Sequence, residues 1–174
     1  KADFIIVGGG IANTFLKSQG FNVGESLVEN DMIEIAEELF NSSKIILPNK
    51  VIVADSIDSN YPTIKNIDSV SSSDKIFDIN LSSNMSEILK SSKTILWNGP
   101  IGVFEKEPFQ KGTHQLATTI AKSKAFSLAG GGETIAAINK FINKDEVSYC
   151  STGGGAFLEY MEGKILPSIE ALGG

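Results

Sequence analysis

The chain holds a single cysteine, Cys150, so it can form no internal disulfide, and a thiolate metal site would lack a second ligand. Cys150 reads as a small apolar residue at a strand end. No apolar run approaches the roughly twenty residues that cross a bilayer, and no charged segment followed by an apolar one opens the sequence. The protein is therefore expected to be soluble and cytoplasmic, with no membrane partner. Lysines never cluster, and the net charge of -6 with a pI near 4.8 argues against a nucleic-acid groove. Any phosphate must be held locally. Apolar residues are not scarce: at 41% of 174 residues they suffice for one core and one domain over 1–174.

Glycine is abundant and organised. Three Gly-Gly-Gly triplets stand at 8–10, 130–132 and 153–155, each after an apolar or β-branched run and before a helical pattern. Residues without a Cβ let backbone approach a ligand, and a helix start offers unpaired N–H groups to an anion. Loops after parallel strands open on one side of an α/β sheet, so three such turns predict one shared phosphate-handling face.

Strand-like and helix-like segments alternate along the chain. Residues 3–7 read as a strand, 11–19 as a helix stopped by Gly20, and 29–40 as an amphipathic helix. Residues 45–47 and 51–54 read as strand, break at Pro48, strand; 55–74, rich in Ser, Asn and Asp, reads as an excursion, either a small hairpin or a disordered loop. Strands at 75–79, 94–97, 125–129 and 147–151 then alternate with helices at 83–89, 109–121, 133–141 and 156–162. The fold class expected is α/β, a Rossmann-like three-layer sandwich with a mostly parallel sheet covered by helices on both faces.

The segments GGGIANTFL at 8–16, WNGPIGVFE at 97–105, FQKGT at 109–113, AGGGETIAA at 129–137 and STGGGAFLEYMEGKILPSIEAL at 151–172 together resemble the C-terminal, nucleotide-binding half of phosphoglycerate kinase. The resemblance implies phosphoryl transfer between 1,3-bisphosphoglycerate and ADP, with Mg2+, giving 3-phosphoglycerate and ATP in glycolysis. In it Gly9, Gly10 and Leu27 lie beside the adenine, and Asn98, Pro100, Gly102 and Val103 line the nucleoside pocket. Glu105 accepts from the ribose hydroxyls.

At AGGGET, Gly131, Gly132 and Thr134 would meet the phosphates, Thr134 through its hydroxyl and N–H, and Glu133 would offer an oxygen to hard Mg2+. The family usually has Asp there. The extra methylene leaves direct and water-bridged metal contact both open, and the plainer reading of Glu133 is an acid favouring a helix dipole. Thr152, Gly153 and Gly154, with Ser151, would face the acyl phosphate and form a nest of N–H donors for the group in transfer. Plainer readings are preferred for Phe104 as core, His114 as a half-exposed helix residue, and Lys106, Lys111 and Lys164 as solvated lysines.

Two departures stand out. In the family, catalytic lysines in a GGAK segment immediately precede the stretch that opens this sequence, and an Arg-rich N-terminal domain binds 3-phosphoglycerate. The chain is therefore expected to be part of a longer, monomeric kinase that partners that domain, binding nucleotide but hardly catalysing alone. The family's DxGP segment is replaced here by Asp78, Ile79, Asn80 and Leu81. The rival readings are an NAD-binding oxidoreductase domain, opposed by GGGIAN in place of G-x-G-x-x-G, and a non-catalytic interaction domain without nucleotide affinity.

Overall fold

The computed structural model describes residues 2–42, 44–151 and 153–173. Strand β1 (Ile5–Ile6) runs into helix α1 (Gly9–Ser18), and α2 (Ile33–Ser42) leads to β2 (Ile45–Ile46), which pairs parallel with β1. Val7, Ala12, Phe15 and Ala36 fill the space between these elements. Gly20 ends α1 in the left-handed region (φ 82°), and the Phe21 N–H returns to the Leu16 carbonyl at 3.1 Å.

The excursion after β3 (Lys50–Ala54) is a hairpin. Its return strand β4 (Thr63–Asn66) lies antiparallel to β3, and β5 (Lys75–Ile79) flanks β3 antiparallel on the other side. The sheet expected to be mostly parallel thus contains here a three-stranded antiparallel ribbon, with the excursion taking the hairpin form of its two readings. Connection length accounts for the β3–β4 pair: a returning loop suffices for an antiparallel neighbour, whereas a parallel one needs a crossover helix. Val51, Ile52 and Val53 are all buried, so β3 is the spine of the ribbon.

Ser82 caps α3 (Ser83–Ser91) by accepting the Met85 N–H at 3.2 Å. Strands β6 (Thr94–Asn98), β7 (Phe126–Gly130) and β8 (Tyr149–Ser151) then form a parallel sheet in that order, connected through α4 (Lys111–Ala121) and α5 (Gly132–Phe141). Ile95, Trp97 and Ala129 point into the main core with Met85, Leu116, Ile120 and Ile138 of the three helices. On the opposite face, where α6 (Gly154–Met161) packs, Leu96, Phe126 and Tyr149 keep exposed side chains. Helix α6 reaches the sheet at Gly130, where Phe157 occupies the space a Cβ would need. A short α7 (Pro167–Ala171) follows. No helix among the described residues is long and apolar enough to cross a membrane.

Candidate functional site

Parallel register places the ends of three strands in one row. Asn98 pairs with Gly130, and Gly130 with Ser151, so the loops that follow all leave the sheet from the same edge. The first triplet joins them through the loop after β6. The Gly9 N–H donates to the Ile101 carbonyl at 3.2 Å, and Gly8 lies so close to Ile101 that any side chain there would overlap it.

Gly131 begins α5 at φ 94°, a conformation that L side chains rarely adopt, and turns the chain beside Asn98. A Cβ at Gly131 would stand 3.1 Å from Asn98 Oδ1. Gly132 and Glu133 are exposed in the first turn of α5, with open space around Gly132. Thr134 follows in the same turn with its side chain inward. It is 1% exposed, and its Oγ1 accepts the Gly99 N–H at 2.7 Å. The hydroxyl therefore spends an acceptor position on locking two loops together, while a hydroxyl keeps one proton to donate.

Replacing Thr134 with Val preserves shape and leaves the Gly99 N–H without that partner. Expected is a loss of about 1–3 kcal/mol in chemical denaturation, restored by Thr134→Ser.

The loop after β6 is fixed along its length. Trp97 Nε1–H donates to the Gly99 carbonyl at 2.9 Å, Ile101 N–H to Thr113 Oγ1 at 3.2 Å, and Val103 N–H to the Phe77 carbonyl at 2.8 Å. Asn98 and Glu105 are exposed, and Pro100, Gly102 and Val103 are half-buried. Phe104 is buried, as its plainer reading required, and its carbonyl accepts from Lys140 Nζ at 2.7 Å. Across from this loop Leu27 leans over Gly10, with its Cδ2 3.1 Å from where a Gly10 Cβ would lie. Leu27 is 70% exposed, and its carbonyl accepts from Asn13 Nδ2 at 3.2 Å.

The Gly9–Ile101, Gly10–Leu27, Gly131–Asn98 and Thr134–Gly99 contacts thus bring the first triplet, the loop after β6 and the start of α5 together in one loop-built shelf. Gly153 and Gly154 follow β8 at the same edge, the Gly153 N–H donating to Ser151 Oγ at 3.3 Å. Thr152 lies outside the described residues. Two hollows, of about 430 and 480 Å3, lie elsewhere, one between Asn60 and the start of α4, the other along residues 144–150.

No three His, Cys, Asp or Glu side chains among the described residues cluster to hold a metal. Glu133 alone, exposed at a helix start, fits a hard cation that takes most of its ligands from phosphates and water. His114 packs its ring 5.2 Å from that of Phe141, and Lys106 and Lys164 pair with Asp58 and Glu162 at 2.7 and 2.6 Å.

The residue missed in the sequence is Asp78. It is 1% exposed in β5 and accepts Gly112 N–H at 2.7 Å and Ile79 N–H at 2.9 Å. Burial pushes its carboxyl up to about 7, against the pull of those two hydrogen bonds. No local signal in the sequence marks it as buried, since one acid in a five-residue strand suits a solvent-facing position equally well.

A model of the phosphoglycerate kinase family matches residues 1–164. The chain belongs to that family. Phosphoglycerate kinases of Coxiella burnetii and Francisella philomiragia are 50% and 51% identical over 99% of the chain, which spans 46% of each relative. The solved phosphoglycerate kinase from Coxiella burnetii superposes with a TM-score of 0.92 at 49% identity, covering 98% of this chain and 46% of that one. The enzyme from Pyrococcus horikoshii OT3 gives 0.82 at 33% identity, over 98% and 45%. The chain thus spans a little under half the length of the phosphoglycerate kinases it matches, and its α/β fold is theirs.

Proposed function

We propose that this chain is the nucleotide-binding half of a cytoplasmic phosphoglycerate kinase, a glycolytic phosphotransferase that moves a phosphoryl group between 1,3-bisphosphoglycerate and ADP. The observation that supports this most strongly is the Thr134–Gly99 hydrogen bond, which joins the two loops that would take opposite ends of one nucleotide. The base would lie between Leu27 with Gly9 and Gly10 on one side and Pro100 to Val103 on the other, and Glu105 would accept from the ribose. The phosphates would meet the N–H groups of Gly131, Gly132 and Thr134 at the start of α5, where the helix dipole favours anions. Magnesium, when bound, would supply neutralisation of charge developing between the phosphates, and Glu133 would hold it, directly or through water.

Transfer itself needs alignment and charge stabilisation rather than a protein nucleophile. Thr152, Gly153 and Gly154 would orient the acyl phosphate from the neighbouring strand end. All fifteen cationic side chains of the chain are lysines. The planar bidentate grip that arginine gives a carboxylate or phosphate is therefore supplied from the other domain of a monomeric enzyme, and this half alone binds MgADP or MgATP while hardly turning over.

Calorimetric titration with ADP tests the reading. Expected is saturable binding that tightens with Mg2+, no response to NAD, and loss of most of the magnesium dependence in Glu133→Ala with ADP binding retained. Absence of ADP binding in a folded protein would sink the proposal.

A further inference from the structure

Asp78 stands apart from the shelf, yet it touches the two segments that frame the loop after β6. Helix α4 has no acid in its first turn and no side-chain cap from Gln110. Its Gly112 N–H is instead taken by Asp78 Oδ2, from a strand 34 residues earlier, at 2.7 Å. On its other side the same carboxyl abuts Gly102: a Cβ built there would overlap Asp78 Oδ1 and come within 2.8 Å of Asp78 Cβ. Gly112 has no room either, being pressed against Asp78 Oδ1 and the Ile79 carbonyl. Both neighbours are glycines because the carboxyl fills the space their side chains would need.

We propose that Asp78 is a positioning residue for nucleoside binding, a buried spacer that sets the height of Gly102 and Val103 above β5 by holding them off the start of α4. This rests on the assignment of the 98–105 loop to the nucleoside. The carboxyl touches no ligand, and it acts through two backbone contacts. Flanking bonds carry the setting outward, since Val103 N–H is tied to Phe77, the residue before Asp78, at 2.8 Å, and Ile101 N–H to Thr113, the residue after Gly112, at 3.2 Å. Removing the spacer leaves the loop tethered at both flanks and unsupported between them, so Gly102 can settle inward.

Two probes separate this role from a merely structural one. Adenosine reports the nucleoside end, and inorganic tripolyphosphate reports the start of α5, which Asp78 does not touch. Each is titrated into the 174-residue chain by amide NMR, for wild type, Asp78→Ala, the near-isosteric Asp78→Asn, and Gly102→Ala. Expected in Asp78→Ala and Gly102→Ala is adenosine binding about tenfold weaker, the size of one lost hydrogen bond's contribution. Tripolyphosphate binding is expected unchanged, with shifted Gly102 and Val103 amides in an otherwise folded spectrum. Asp78→Asn, which keeps the volume, should fall between. Equal losses for both probes, or unchanged adenosine affinity in folded variants, overturns the proposal. If wild type binds neither probe, the nucleotide reading fails first and the positioning role falls with it.

Discussion

Asp78→Asn will flatten the pH dependence of stability between pH 4 and pH 8 relative to wild type. A carboxyl held at about 7 in the folded chain and 3.8 when exposed binds more protons folded than unfolded across that interval. Its contribution to stability is therefore complete below about pH 4 and is lost as pH rises through about 7. At 1.4 kcal/mol per pH unit the interval sets a ceiling of about 4 kcal/mol for the decline of wild type against the variant. Asparagine can accept only one of the two N–H groups, so the variant starts with an offset that does not change with pH. Urea denaturation of both proteins at pH 4, 6 and 8 reads the difference, in which all other titrating groups cancel. Parallel curves would show that the carboxyl titrates in its ordinary range and that its burial is compensated.

Phe109→Ala is expected to cost about 3–5 kcal/mol, the range for emptying an aromatic site in a close-packed core. Phe109 is fully buried, with its ring 4.9 Å from that of Phe77, in a cluster with Ile52, Ala54 and Val103. This cluster lies under the loop after β6, on the side away from the main core. Thermal melting should show the loss. Adding Mg2+ and ADP to Phe109→Ala should recover less stability than in wild type, because Val103 loses its support. Met85→Ala, in the main core under α3, supplies the comparison, since its damage should not extend to the ligand response.

The glycine triplets are legible because a backbone requirement is written in one residue type. The strand ends at Gly130 and Ser151 and the opening of α5 can be read directly from them. Sequence does not convey the use of each polar side chain. Thr134 carries a hydroxyl in the motif whether it faces a ligand or a neighbouring loop, and its bond to Gly99, 35 residues away, has no local signature. Asp78 stands out in the sequence only through its neighbours Ile79, Asn80 and Leu81, because a single acid in a five-residue strand fits a solvent-facing position as well as a buried one. Periodicity misleads at β6 for a related reason. Thr94, Ile95, Leu96 and Trp97 read as a continuous apolar run, yet Ile95 and Trp97 are buried while Leu96 is exposed. Composition reports what a strand could bury, and neighbours decide what it does bury.

The shelf is assembled from loops of two parallel ladders, β1–β2 and β6–β7–β8, which share no strand pairing among the described residues. The Gly9 N–H to Ile101 bond and the Gly8–Ile101 contact join them at the shelf itself. Apolar contact backs that joint: Leu16 of α1, with Ile6 and Ile46 of the first ladder, packs into the same buried cluster as Trp97 and Ala129 of the second, so both banks of the shelf are keyed to one interior.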